Sequence, residues 1–218
     1  SSDLCALVHN PSTEVWTTNE GLARRFGGGV LSHLGVNLAA PGDHMASDGL
    51  LWMDHGTGPG QVQAPAQELS LPVSLTPVDS LRPFRHHSLR VDGPLPWVAA
   101  SGVEGIRRLV IDMAVDSLSA DSTPATVTAE TRPVDVTLCF CEPHHRTAGR
   151  RVFGITVNDR TIIDSLDIVG QTGAPLHSLV RTVGPLSVTD SIVVRFTALV
   201  DVPVLSGVSV RPHQPRAR

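Results

Sequence analysis

The run Cys141-Glu142-Pro143-His144-His145-Arg146 places an acid and two imidazoles within a few residues. It follows an alternating segment and precedes a hairpin pattern, so it reads as a loop at a strand end. Imidazole rings held there can stack on a ligand and exchange hydrogen bonds with its hydroxyls. The same composition suits a solvated polar connection equally well. A second candidate is Val200-Asp201-Val202-Pro203. Its carboxylate is a strong acceptor for hydroxyl donors, yet an Asp-x-Pro run also makes a turn that bonds its own backbone.

Other patterns invite catalytic or metal readings and carry less. Asp164 and Asp167 resemble the carboxyl pair of a glycoside hydrolase, but nothing in the sequence separates their acidities. His86-His87 and His144-His145 are adjacent pairs. Neighbouring strand positions face opposite ways, so a metal site would need the two pairs to meet in space and a carboxylate to join them. No nucleophile elbow or triad signature is present. Gly27-Gly28-Gly29 lacks the Lys-Ser/Thr and the strand-to-helix setting of a phosphate loop. Trp16, Trp52 and Trp97 are the large plates beside five Phe. Trp97 sits in the rigid run Pro94-Leu95-Pro96-Trp97.

These groups must be positioned by strands. Val152 to Val157 is apolar and β-branched, Asn158-Asp159 supplies turn chemistry, and Thr161 to Ile163 returns. Pro133 to Cys141 alternates, with Val134, Val136, Leu138 and Phe140 on one face. Ser191 to Ala198 and Val204 to Val210 alternate likewise. Strands are expected at Leu4 to Val8, Glu14 to Thr18, Gly35 to Leu38, Leu50 to Met53, Leu69 to Leu75, Phe84 to Val91 and Val103 to Met113. Gly56 to Pro83 otherwise reads as loop. No window has a helical apolar stripe. Many short strands with Gly/Pro turns predict an all-β, two-sheet antiparallel β-sandwich.

The 218 residues fit one large β domain, or one domain with an extension. With 41% apolar and 17% charged residues the chain can bury a core. A net charge of −4 gives no case for nucleic acid or an anionic membrane surface, and no apolar run reaches the roughly 20 residues of a membrane span. All 17 basic residues are Arg, and Tyr is absent. Cys139 and Cys141 share a strand face and cannot readily bridge; Cys5 leaves the count odd, and no zinc spacing is present. The start at Ser1, without a signal-like run, reads as a processed or truncated product.

Arg150 to Gly170 resembles the signature hairpin of malectin and malectin-like domains, an "RVFDV…NG…DI…G" run. Val36-Asn37, Asp48-Gly49 and Trp52 resemble the opening of such a domain, and Phe140-Cys141-Glu142 its "FAE" strand end. Gly154 stands where that motif usually has Asp. The resemblance implies a jelly-roll sandwich of the galactose-binding-like kind and a non-catalytic carbohydrate-binding function. It places His144 and His145 at two positions where animal malectin has aromatics that stack on a glucose disaccharide. It places Asp201 on the "DNP" acid that bonds a sugar hydroxyl, and Asp167 in the fold signature.

The expected organisation is an extension or remnant of a preceding domain over 1–30, a malectin-like sandwich over 31–212 and a frayed tail over 213–218. The expected carbohydrate-binding residues are His144, His145, Asp201 and Glu142, with no catalytic residues, metal or cofactor. The expected partner is an oligosaccharide or cell-surface glycan, in an extracellular or cell-envelope protein of bacterial type. The alternative is a structural or docking domain attached to an enzyme such as a quinoprotein-like β-propeller. Ala6 to Thr17 and Trp97 to Gly105 resemble sequence of that context, which makes a partner domain within a longer chain part of the expectation.

Overall fold

The structure is a computed structural model that describes residues 29–30, 33–55, 73–115 and 131–214. Expectations for Cys5, Trp16, the strands at Leu4 to Val8 and Glu14 to Thr18, and residues 215–218 lie outside them.

Two sheets face each other. The first has six strands, which in spatial order are Leu179–Val188 (β13), Arg132–Phe140 (β10), Gly207–Pro212 (β16), Leu34–Leu38 (β2), Leu51–His55 (β4) and His44–Met45 (β3). The second has five, in the order Arg160–Leu166 (β12), Val152–Val157 (β11), Ser191–Val200 (β14), Arg108–Asp112 (β8) and Val73–Thr76 (β5). The two-residue strands β1 (Gly29–Val30) and β9 (Ala114–Val115) pair with each other. All these pairings are antiparallel except β2 with β4. The all-β sandwich expected from the alternation is what forms.

Alternation explains the core. Ile192, Val194 and Phe196 of β14 are buried while Arg195 is exposed. Leu109 and Ile111 of β8 are buried between exposed Arg108 and Asp112. Phe140 from one sheet meets Phe153 from the other at 5.9 Å between ring centroids, and Phe153 meets Phe196 at 6.3 Å. Those tilted contacts join the sheets at their centre.

A third layer covers part of the outer face of the six-stranded sheet. It consists of β6 (Arg82–Arg85), β7 (Ser101–Glu104) and β15 (Val204–Leu205), with helix α1 (Pro96–Ala99) leading into β7. All of β2 is therefore buried, not alternate residues. Asn37 on its covered face accepts from the Ser101 hydroxyl at 3.1 Å, which satisfies the buried amide oxygen. Close approach demands glycine here. A Cβ on Gly102 would meet the Leu205 carbonyl oxygen and the Phe84 ring at 2.6 Å. Cys139 and Cys141 lie buried and free as thiols, and burial pushes both up to about 12.

Several elements differ from the sequence expectation. The segment Val103 to Met113 is two strands, β7 and β8, because the chain turns at Gly105 with φ +87. Phe84 to Val91 is not one strand: β6 stops at Arg85, and the His87 ring accepts from the Leu89 amide to cap a 3-10 turn over Ser88–Arg90. Val204 to Val210 divides at Ser206, where the chain passes from the third layer into the six-stranded sheet. The strand β13 and the short helices α1 and α2 (Ile168–Thr172) were not expected. Asn158 and Asp159 do adopt left-handed backbone, as the hairpin turn requires.

Phe153→Ala is expected to cost about 3–5 kcal/mol of stability, read from urea unfolding, because its ring joins both sheets. Asp54 of β4 supplies a second prediction. Burial raises its carboxyl to about 6, against the opposing pull of Arg85 and with a further push from Asp43. Its Oδ1 has no hydrogen-bond partner among the described residues. A folded value above the ordinary 3.8 means that stability falls as pH rises from about 4 to about 6 and is level beyond. Asp54→Asn should remove that part of the pH dependence, measured by unfolding across the interval.

Candidate functional site

Four strand ends meet at one end of the sandwich. Glu142 lies two residues past β10, Arg151 immediately precedes β11, Asp201 immediately follows β14, and Glu104 ends β7. The register sets this meeting, since Val152 pairs with Val200 and so brings Arg151 beside Asp201. On the third layer, Glu104 pairs with Val204 on one side and Arg82 on the other.

Arg151 is the hub. Its side chain is only 2% exposed. Nε donates to Glu142 Oε2 at 2.6 Å, and Nη2 donates to Glu104 Oε2 at 2.9 Å. Nη1 donates to the carbonyl oxygen of Val202. Nη2 lies 3.8 Å from Asp201 Oδ2. Burial alone would pull the guanidinium down, but the two glutamates outweigh it and hold it above its usual value. A charge taken out of water is tolerated only when paired and hydrogen-bonded, as it is here.

Glu142 has a second task. Its Oε1 accepts the backbone amides of His144 at 2.9 Å and His145 at 3.0 Å. The carboxylate is 1% exposed, so both oxygens serve the protein interior. Both histidines are thereby fixed by their main chain while their rings turn outward. His144 Nε2 meets Glu104 Oε1 at 2.8 Å, with the side chain 57% exposed. His145 Nε2 meets Asp201 Oδ2 at 2.8 Å. With these nitrogens donating, each neutral ring leaves Nδ1 as an acceptor, a tautomer assigned from the hydrogen bonds.

Asp201 follows both of its sequence readings. Oδ1 accepts from the next amide, that of Val202, at 2.8 Å, as an Asp turn does, and the backbone is left-handed with φ +57. Oδ2 accepts the hydrogen bond from His145 Nε2. The hydrogen bond from His145, together with the Val202 amide and Arg151, holds the carboxyl below 3.8 against the opposing effect of burial. Each carboxylate oxygen has a lone pair to spare for an outside donor.

The four residues singled out from sequence, His144, His145, Asp201 and Glu142, therefore meet in one network. Glu104 and Arg151 complete it and were not singled out. A signal for Glu104 was available: an acid at the end of the apolar run Val98 to Val103 requires a buried partner.

The other candidates make no hydrogen bond to the network, though His86 lies near enough to His144 to feel its charge. Asp167 caps α2: Oδ1 accepts from the Gly170 amide at 2.9 Å and Oδ2 from the Gly149 amide at 2.6 Å. Asp164 is exposed on β12. His86 is half-buried, and burial, Arg90 and His144 together lower its ring. Trp97 is half-buried in α1, edge-on to Trp52 at 5.6 Å and against His44 at 4.1 Å. Among the described residues no group of three or more His, Cys, Asp or Glu side chains is placed to hold a metal ion. No described helix is long and apolar enough to cross a membrane.

Residues 133–205 match the malectin domain family. This stretch runs from β10 to β15 and contains Glu142, His144, His145, Arg151 and Asp201. No curated protein matches the sequence. Among solved structures the chain is similar to a Bacteroides uniformis beta-glucuronidase 2 covalently bound to cyclophellitol-6-carboxylate aziridine. The TM-score is 0.58 and the identity 14%, over 84% of this chain and 18% of that one. It is also similar to the ANXUR2 extracellular domain from Arabidopsis thaliana, with TM-score 0.54 and identity 15%, over 81% of this chain and 47% of that one. The plant receptor-like kinase FER gives TM-score 0.55 and identity 14%, over 81% and 48%. At these identities the likeness is one of fold. The chain spans about a fifth of the length of the glucuronidase and about half of each plant receptor structure.

Replacing Arg151 tests the hub. Arg151→Met leaves two buried carboxylates without their cation and is expected to cost about 3–5 kcal/mol in urea unfolding at neutral pH. A cost under about 1 kcal/mol would show that the network is not held by this charge.

Proposed function

We propose, with the malectin-domain match as premise, that this chain is a non-catalytic carbohydrate-binding module. The observation that carries the reading is the His145–Asp201 pair at 2.8 Å on the open end of the sandwich, beside the exposed ring of His144. A sugar offers hydroxyl donors and acceptors around an apolar ring face. Asp201 accepts from a hydroxyl, the free ring nitrogens of His144 and His145 accept from others, and the ring faces pack on C–H groups. Glu142 acts indirectly, by holding the backbone of both histidines. The site is partly exposed and lacks a large aromatic plate, which favours weak binding of a terminal or short glycan. A glycan ligand suits a domain of an extracellular or cell-envelope protein.

The non-catalytic reading has its own support. Both oxygens of Asp167 are taken by backbone amides, which leaves Asp164 without a free carboxyl partner on its own strand end. A second reading, a domain that docks on an attached enzyme such as a β-propeller, is favoured by exposed apolar side chains at Leu199 and Val200 at the end of β14. The two readings are separable, because docking needs no free sugar.

Isothermal titration of glucose disaccharides and a wider glycan panel should give saturable heat with at least one sugar. His145→Ala and Asp201→Ala should each weaken it about tenfold, in keeping with the loss of a charge-assisted hydrogen bond. A panel without heat rejects the sugar reading and leaves docking.

A further inference from the structure

The sugar reading gives no role to a cleft of about 630 Å³ at the same end of the molecule. Its volume lies within the range of small-molecule sites. The cleft lies between the β5–β6 connection, the β7–β8 connection and the corner that follows Asp201. Val202 and Pro203 line it, so it begins where the histidine–aspartate pair ends. Its charged lining consists of Arg82 and Arg107, and no Asp or Glu lines it. Asp79, exposed on the β5–β6 connection, is not among the lining residues.

Arg107 is held by its main chain from both sides. Its amide donates to the Thr76 carbonyl at 2.8 Å, and its carbonyl accepts from the Phe196 amide at 2.8 Å. Its guanidinium makes no ion pair among the described residues, whereas Arg82, Arg151, Arg195 and Arg211 do. Arg82 is two-thirds exposed and comes no closer than 3.8 Å to Glu104. Both oxygens of Glu104 are already engaged at shorter range, by Arg151 and His144. Two arginines with unspent hydrogen-bond donors thus line one opening. A planar fork of N–H donors matches a carboxylate in two parallel bonds.

We propose that this cleft receives the carboxylate of an acidic oligosaccharide, a uronate residue whose neighbouring sugar sits over His144, His145 and Asp201. The inference rests on the sugar-binding reading and adds the chemical class of the ligand. Arg107 supplies one contact and Arg82 the other.

The test uses the full chain and matched probes. Maltose and cellobiose are each compared, by calorimetry, with the counterpart whose non-reducing glucose is oxidised to glucuronate. At least one uronate should bind about tenfold more tightly than its neutral mate. That preference should shrink between about 20 mM and about 300 mM salt, since the arginines are solvent-exposed. Arg107→Gln, and separately Arg82→Gln, should bring the ratio toward unity, while His145→Ala weakens both members of a pair. Neutral sugars that bind as well as their uronates overturn the cleft proposal and leave the sugar site standing. A uronate preference that survives the Arg82→Gln/Arg107→Gln double substitution also overturns it. Absence of binding by every probe overturns the cleft proposal and counts against the sugar reading itself.

Discussion

A guanidinium buried between two carboxylates constrains everything at this end of the molecule. Arg151 cannot be taken out of water alone, so Glu142 and Glu104 must reach it, and the elements that carry them must converge. Glu142 comes from the six-stranded sheet, Arg151 from the five-stranded sheet and Glu104 from the third layer. One side chain therefore ties together all three layers. Such networks add less to net stability than to the choice of a single arrangement, because desolvation offsets most of their attraction. The aromatic contacts of Phe140, Phe153 and Phe196 close the sandwich at its centre, and the Arg151 network aligns its end.

The layers divide the work. The sheets supply rigid strand ends in fixed register, and the connections between them supply the groups that face outward. The third layer is short, and its main product is Glu104, which lies close enough to both Arg151 and His144 to join the interior charge to the surface ring. The burial of all of β2 follows from the same layer, as does the close packing that admits only glycine at Gly102. The buried groups at the base of the network thus belong to the fold, while those at its rim face outward.

Much of the sandwich was legible because alternation is a local signal. Val152 to Val157, the turn at Asn158-Asp159 and the strand ending at Phe140 stand where the pattern puts them. The strand β13 was not legible. Its Gly184-Pro185 pair breaks the alternation, yet β13 is the edge of its sheet and the pair sits at a register shift opposite Asp135, where proline is tolerated. The division at Ser206 was hidden too, since the alternation runs unbroken while the chain changes sheets. At the site, exposed groups were legible from residue type and from the family resemblance. The buried members were not, because Arg151 looks like half of a surface Arg-Arg pair, and Glu104 acquires its partners only when four strand ends meet.

Glu142 grips His144 and His145 by their amide hydrogens alone. Every residue type except proline carries that hydrogen, so the grip does not depend on which side chains stand at those two positions. The backbone grip therefore imposes no veto of its own on the rim: imidazole, phenyl or indole can be exchanged there while the loop keeps its shape, and what is lost is the ring contact to Glu104 or Asp201. In this architecture the side chains of the rim are free to drift on a platform that stays put, and the histidine pair is one setting of an interchangeable surface.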